Sequence, residues 1–175
     1  SGARHAEHLG EFAGMTAVLP RRRGSRPRTT PTNPHTQLDQ QPTDLTFVTE
    51  LRRRAFNLPD VEERPSAISV PGARALWLRA GAPTGPRTAF MVGREFAHFH
   101  PAPDHSLHLT LPPDRVEAVI ERGWGEMPPV DRMGFIPATA VMVYAPRDAE
   151  ELEVIAAILT DSYRFATGQL GEETR

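Results

Sequence analysis

Arg94-Glu95-Phe96-Ala97-His98-Phe99-His100, followed after Pro101-Ala102-Pro103-Asp104-His105 by Ser106-Leu107-His108-Leu109-Thr110-Leu111, decides the fold of this chain. In extended backbone, successive side chains point to opposite faces. Phe96, His98 and His100 therefore share one face of the first segment, and Ala97 and Phe99 share the other. In the second segment Ser106, His108 and Thr110 oppose Leu107, Leu109 and Leu111. A hairpin that buries both apolar sets on one core fixes the parity of the register and brings His98, His100 and His108 together. The simplest such register sets His98 opposite His108.

The pattern around this hairpin extends it into a meander. Ala73 to Arg79 and Thr88 to Val92 read as strands, with Gly81-Ala82-Pro83-Thr84-Gly85-Pro86 supplying turn chemistry between them. Strands joined this closely are antiparallel. Before them, Leu45, Val48, Leu51 and Ala55 recur at helical spacing, capped near Thr43 or Asp44 and stopped by Pro59. After them, Pro112 and Pro113 open a helix that runs to Arg122, with Gly123 as its C-terminal cap. Thr139 to Ala145 is a further strand, and Asp148 with Glu151 has the spacing of a capping box for a last helix. Leu152, Ile155, Leu159 and Tyr163 give that helix a broad apolar face. The expectation is an α+β domain, an antiparallel sheet of about five strands with helices packed on one face.

Upstream of the domain, Pro20 to Pro42 is dense in Pro, Arg, Thr, Asn and Gln, so residues 1–42 read as a flexible or extended arm and residues 43–175 as one domain. Within the arm, Asn33-Pro34-His35-Thr36-Gln37-Leu38-Asp39-Gln40-Gln41 could drape over the domain or a neighbouring copy, an arrangement compatible with a homodimer. Arg21, Arg22, Arg23, Arg26 and Arg28 concentrate positive charge there. The formal net charge is only -2 and no aromatic residue interleaves with the cluster, so a solvated tail is expected and no nucleic acid partner. No run approaches the ~20 apolar residues of a membrane helix. A soluble, cytoplasmic protein without a membrane partner is the expectation, with Met15 standing where a natural start would fall.

Composition narrows the chemistry. All 20 basic residues are arginine, and neither lysine nor cysteine occurs. That removes a lysine Schiff base, a phosphate-binding P-loop lysine, a thiolate nucleophile, and zinc or iron-sulfur sites held by cysteine. What remains is the chemistry of His, carboxylates, Ser, Tyr and Arg. Imidazoles take and return protons near neutral pH. His98 and His100 at i and i+2, with His108 across the hairpin, also form a three-nitrogen set of the kind found in open metal sites, with Asp104 placed to orient a ring. The competing reading is a wet sheet face on which His, Ser and Thr alternate.

The histidine-alternating strand pair, Gly123-Trp124-Gly125, Tyr144-Ala145-Pro146-Arg147 and the acidic helix ending near Gly168 occur in the order seen in the fungal luciferase family. From Arg94 to Gly168, and more weakly back to Ser66, the chain resembles that family and reads as a bacterial member of it. Those luciferases oxidise a hydroxypyrone with molecular oxygen through a peroxide-type intermediate, without an organic cofactor. The resemblance implies catalytic roles for His98, His100 and His108, one imidazole deprotonating an enol and the others stabilising the anion. It implies substrate contacts from Arg94, Asp104, Trp124, Tyr144 and Arg147, while His105 matches no motif position. For Arg147 a pairing with Glu150, Glu151 or Glu95 is an equal reading; core packing competes for Trp124 and a buried role for Tyr144.

One departure is evident. Family members commonly carry a histidine shortly after Gly-Trp-Gly, where this chain has Met127-Pro128-Pro129, so light emission is not carried over. The expected function is oxygenation of an enolisable aromatic or pyrone-like small molecule with molecular oxygen as co-substrate and no further cofactor. A non-catalytic small-ligand module and an enzyme with a metal on His98, His100 and His108 stand as alternatives.

Overall fold

The computed structural model describes residues 18–129 and 137–170. Its centre is a six-stranded antiparallel sheet. The strands are β1 (Val61–Pro65), β2 (Arg74–Leu78), β3 (Glu95–Phe99), β4 (Leu107–Thr110), β5 (Gly125–Glu126) and β6 (Ala140–Val143), in the spatial order β1-β2-β3-β4-β6-β5. Three helices accompany it, α1 (Thr46–Phe56), α2 (Pro113–Glu121) and α3 (Ala149–Ala166). The domain is α+β. Among the described residues no helix is long and apolar enough to cross a membrane.

The hairpin pairs as its apolar pattern requires, with Ala97 opposite Leu109, His98 opposite His108 and Phe99 opposite Leu107. β6 continues the rule, setting Leu107 against Val143 and Leu109 against Val141. Ala97, Phe99, Leu107, Leu109, Val141 and Val143 thereby form one apolar face, which packs with Leu152, Ile155 and Leu159 of α3 and Leu51 and Ala55 of α1. Helix α3 starts where its cap predicts, the Asp148 carboxylate accepting the Glu151 N–H at 2.8 Å. Helix α2 ends at Gly123, whose φ of +85° suits a residue without Cβ.

Beyond the two-residue β5, which was not expected, two strand assignments differ from the sequence pattern. Residues Thr88 to Val92, expected as a strand, hold a 3-10 turn at Arg87–Ala89 followed by a tight return through Gly93. Carbonyls that a neighbouring strand would engage are taken by side chains instead: Thr110 donates to Ala89 O at 2.6 Å and Thr139 to Thr88 O at 2.5 Å. The strand Val61–Pro65 was not expected. Its sequence Val-Glu-Glu-Arg-Pro lacks apolar alternation because it lies at the sheet edge, where a terminal proline is tolerated and charge discourages further pairing.

A third difference shapes the site. Leu76 pairs with Ala97, but the next residue of β2, Trp77, pairs with Glu95, so Phe96 is an extra residue in β3. Such a bulge reverses the alternation locally. Phe96, expected beside His98, joins the apolar core and meets the Tyr163 ring at 6.3 Å. Glu95 takes its place on the histidine face.

The arm lies across this second face. Thr29 and Gln37 form a bridge, and Leu38 N–H donates to Arg28 O, closing a hairpin-like loop around Pro34. The loop is tied down by Gln37, whose N–H reaches Asp104 Oδ1 and whose side-chain oxygen accepts from Ala145 N–H. Nearer its start, Leu19 is buried, Trp124 Nε1–H donates to Pro20 O at 2.6 Å, and the buried Arg22 stacks over the Tyr144 ring. Arg26 donates to Gly125 O and Ile120 O. Arg22, Arg26 and Arg23, which donates to Asp148 Oδ2, three of the arginines read as a solvated tail, are thus fastenings between arm and domain.

Candidate functional site

His98, His100 and His108 are each under 9 % exposed and pack ring to ring, with centroids 4.8 to 5.3 Å apart. One ring nitrogen from each lies within 4.8 Å of the others. They form the floor of a cavity of about 470 Å³ whose walls include Ile68, Val70, Met91 and Ala140. Its remaining wall is the arm, Asn33 to Thr36. Small-molecule sites are typically apolar clefts with a few convergent polar groups, and this cavity has that make-up.

Every outward-facing ring nitrogen of the three is held. Because of the bulge, Glu95 Oε2 accepts from His98 Nδ1–H at 2.8 Å, while the same carboxylate accepts from Ser66 Oγ–H and Ala67 N–H. His100 Nδ1–H donates to Asp104 Oδ2 at 2.7 Å, and Ser106 Oγ–H holds the other oxygen of that carboxylate. His108 Nε2 meets His35 Nδ1 at 3.1 Å, and His35 Nε2–H donates to Glu126 Oε2 at 3.1 Å. The Tyr144 hydroxyl donates to the other oxygen of Glu126 at 2.8 Å, and Thr29 Oγ1–H adds a third bond to that carboxylate. Carboxylates behind histidines fix tautomer and ring orientation.

Burial sets the protonation states. It drives His108 well below the ordinary histidine range, reinforced by the other imidazoles nearby, and it lowers His98 despite the opposing pull of Glu95. Burial also opposes ionisation of Asp104 and Glu126. Hydrogen bonds from His100 and Ser106 to Asp104, and from His35, Thr29 and Tyr144 to Glu126, outweigh it and hold both carboxyls low. Tyr144 is pushed up to about 12, first by burial, so its phenol keeps its proton. Burial thus favours the neutral form of His98 and His108, while hydrogen bonds favour the ionised form of Asp104 and Glu126.

The sequence-derived candidates separate in space. His98, His100, His108 and Asp104 converge on the cavity. Tyr144 lies behind Glu126, one hydrogen bond from the histidine network. Arg94, Trp124 and Arg147, expected on substrate, are engaged elsewhere. Arg94 donates to the backbone oxygens of Leu78 and Arg79 at 2.6 Å, closing the β2 end. Trp124 is in the core. Arg147 pairs with the buried Glu151, one of the partners its ion-pair reading named, and holds Arg23 O of the arm.

Three residues escaped the sequence pattern. Glu95 reaches the site only through the bulge, and His35 only because the arm folds back. Glu126 depends on Gly125, where a Cβ would stand 2.1 Å from Met142 O, so only glycine lets β5 close on β6. The one available signal was that Gly123-Trp124-Gly125 runs directly into Glu126.

The described residues thus combine an α+β fold with a buried, carboxylate-backed imidazole cluster beneath an apolar-walled cavity. Residues 93–162 match the family model described as the Luciferase domain. The chain is 31 % identical over 172 residues to a luciferase of Armillaria mellea, covering 89 % of this chain and 64 % of that protein. It is 31 % identical over 165 residues to a luciferase of Armillaria gallica, covering 85 % and 61 %, and 36 % identical over 76 residues to one of Neonothopanus nambi, covering 42 % and 28 %. Residues 93–162 thus carry the Luciferase domain pattern, and the similarity to the Armillaria luciferases extends over most of the chain. The chain spans just under two thirds of the length of these Armillaria relatives, and no solved structure matches it significantly.

Proposed function

We propose that this protein oxygenates an enolisable aromatic or pyrone-like small molecule, using molecular oxygen as co-substrate, in the cavity over His98, His100 and His108. The observation that carries this reading is a floor of three imidazoles, each oriented from behind by a hydrogen-bond partner, inside a cavity with apolar walls. A flat, weakly acidic ring fits the walls, and its enol proton meets lone pairs rather than imidazolium charge. Similarity to proteins named luciferases supports this reading.

The chemistry balances without an external reductant. The enol O–H gives its proton to the imidazole face, and the resulting anion carries electron density onto the adjacent ring carbon. That carbon forms a bond to one oxygen atom of O2, losing two electrons as oxygen falls to the peroxide level. The distal oxygen takes up the proton. The imidazole face favours this step by accepting the proton and holding the anion in a site where water is scarce. Asp104 and Glu95 act as positioning residues through His100 and His98.

The test is oxygen consumption by tag-free full-length chain over a panel of hydroxypyrones and phenolic enols, each beside its O-methyl ether. Uptake confined to the free enols, and lost in His98→Gln, is the expected result. Absence of uptake across the panel, or equal uptake with the ethers, overturns the proposal.

A further inference from the structure

The histidine network contains a hydrogen deficit. Asp104, His100, His108, His35 and Glu126 form a continuous chain of four contacts: 2.7 Å from Asp104 to His100, 3.0 Å from His100 Nε2 to His108 Nδ1, 3.1 Å from His108 to His35, and 3.1 Å from His35 to Glu126. Each contact needs one hydrogen; an imidazole carrying a single N–H supplies one, so three such rings supply three for four contacts, and carboxylate oxygens at both ends only accept.

The hydrogens can be placed from the ends inward. Asp104 demands Nδ1–H on His100, and Glu126 demands Nε2–H on His35. His35 then offers a lone pair at Nδ1, so His108 must donate from Nε2. This leaves His100 Nε2 and His108 Nδ1, two lone pairs, facing each other at 3.0 Å. His98 adds a third, since its Nδ1–H is committed to Glu95. Three bare nitrogens facing a common point, with every outward nitrogen fixed by a partner, is an arrangement that lone-pair repulsion opposes unless a cation sits among them.

We propose that His98, His100 and His108 bind one divalent first-row transition-metal ion, with Glu95, Asp104 and the His35–Glu126 pair orienting the three ligand rings from behind. Imidazole nitrogens suit such ions, and the outward carboxylate or histidine partner is the recurrent second layer of histidine metal sites. At metal–nitrogen bonds of about 2.1 Å, nitrogens 3.0 Å apart subtend about 90°, the angle between adjacent positions of a five- or six-coordinate ion. The widest separation, within 4.8 Å, exceeds the span of about 4.2 Å available to two such bonds, so small ring rotations complete the set. With the ion bound, the three imidazole lone pairs are no longer free to take an enol proton; the ion's open positions face the cavity, where the ion would polarise an enol oxygen instead. Only that last use rests on the oxygenase reading; the ion site stands on the histidine geometry alone.

The arm takes on a specific role in this arrangement. Among the described residues His35 is the only partner of His108 Nε2, and it is contributed by a segment more than seventy positions away in sequence. An arm that loosens therefore weakens the third ligand without touching the other two.

The experiment uses tag-free full-length chain, elemental analysis after purification, and titration of chelator-treated protein with Co2+ followed by its visible d–d absorption. One equivalent of Co2+ per chain with histidine-type absorption is expected, absent in a folded His98→Ala/His108→Ala variant. If that double variant does not fold, His35→Gln and Glu95→Gln take its place, each with an expected 10- to 100-fold weaker Co2+ affinity. A folded wild type that takes up no Co2+ overturns the site and leaves a shared proton between His100 and His108 as the answer to the deficit. Equal Co2+ affinity in wild type and all variants also overturns it. Oxygen uptake is read separately, so metal binding without turnover would count against the oxygenase reading and not against the site.

Discussion

The two faces of one sheet follow different rules. On the helix side, Ala97, Phe99, Leu107, Leu109, Val141 and Val143 are brought together by alternation along three strands, and each is fully buried. On the arm side, His98, His100 and His108 come from the opposite parity of two of those strands, yet the groups that hold them come from a bulge, a hairpin loop, a two-residue strand and the arm. The first face is bound by area removed from water, a property of each residue. The second is bound by pairwise hydrogen bonds between groups far apart in sequence, where one missing partner leaves a buried polar atom exposed to its full desolvation cost. Stability should therefore reside mainly on the helix side and chemistry on the arm side.

Substitutions can break that division. The largest effect is expected for Phe99→Ala, which empties a fully buried ring site contacting Phe56 at 5.7 Å and should cost about 3–5 kcal/mol in urea unfolding. Oxygen uptake per folded molecule should be retained; loss of uptake in the still-folded fraction would mean that the two faces are not independent. The complementary change is His98→Gln, whose amide can still donate to Glu95. It should lower turnover by about 10²-fold or more while shifting unfolding by about 1 kcal/mol or less. A destabilisation as large as that of Phe99→Ala would make His98 a structural histidine.

The same contrast explains what the sequence made legible. The helix-side face, the three helices and the His98–His108 register all follow from periodicity and burial of apolar residues, which are local signals. The site's ligand-facing half was legible for that reason. Glu95 was not, because a bulge is a two-strand property that leaves no mark in Arg94-Glu95-Phe96 alone. His35 sits in a Pro-rich stretch whose composition says only that helix and central strand are excluded, and its docking rests on single bonds such as Gln37 to Asp104 and Ala145 to Gln37. Arg94 and Arg147 misled because their motif positions carry no information on whether a guanidinium meets substrate or backbone. Here carbonyl oxygens and Glu151 claim them.

The fastening of the arm offers a smaller test. Trp124→Phe keeps most of the buried ring but removes the N–H that Pro20 O accepts at 2.6 Å. A loss of about 1 kcal/mol is expected, together with faster hydrogen exchange at Gln37 and Leu38 and unchanged exchange in β3 and β4. Exchange that accelerates equally in all four segments would show the arm and sheet unfolding as one unit rather than the arm being the weaker partner.

The smallest effect concerns Glu126, where arm and sheet meet. Its carboxyl is held below its usual value of 4.5; burial opposes this, but bonds from His35, Thr29 and Tyr144 prevail. A carboxyl with a depressed folded value binds fewer protons in the folded than in the unfolded state across the interval between the two values. Stability there rises with pH. Its contribution is thus fully present above about pH 5 and is lost as pH falls through the folded value. Asp104, Asp39 and Asp44 are also lowered and titrate in the same direction, so the wild-type curve alone assigns nothing. The difference between wild type and Glu126→Gln isolates the group: both should lose stability below pH 5, the variant less steeply, by about 1 kcal/mol given that the carboxylate is partly exposed. Chelator keeps metal linkage out of both curves. Parallel curves would mean that the ionised carboxylate adds nothing to docking, and that His35 is held against His108 by the backbone bonds of the arm alone.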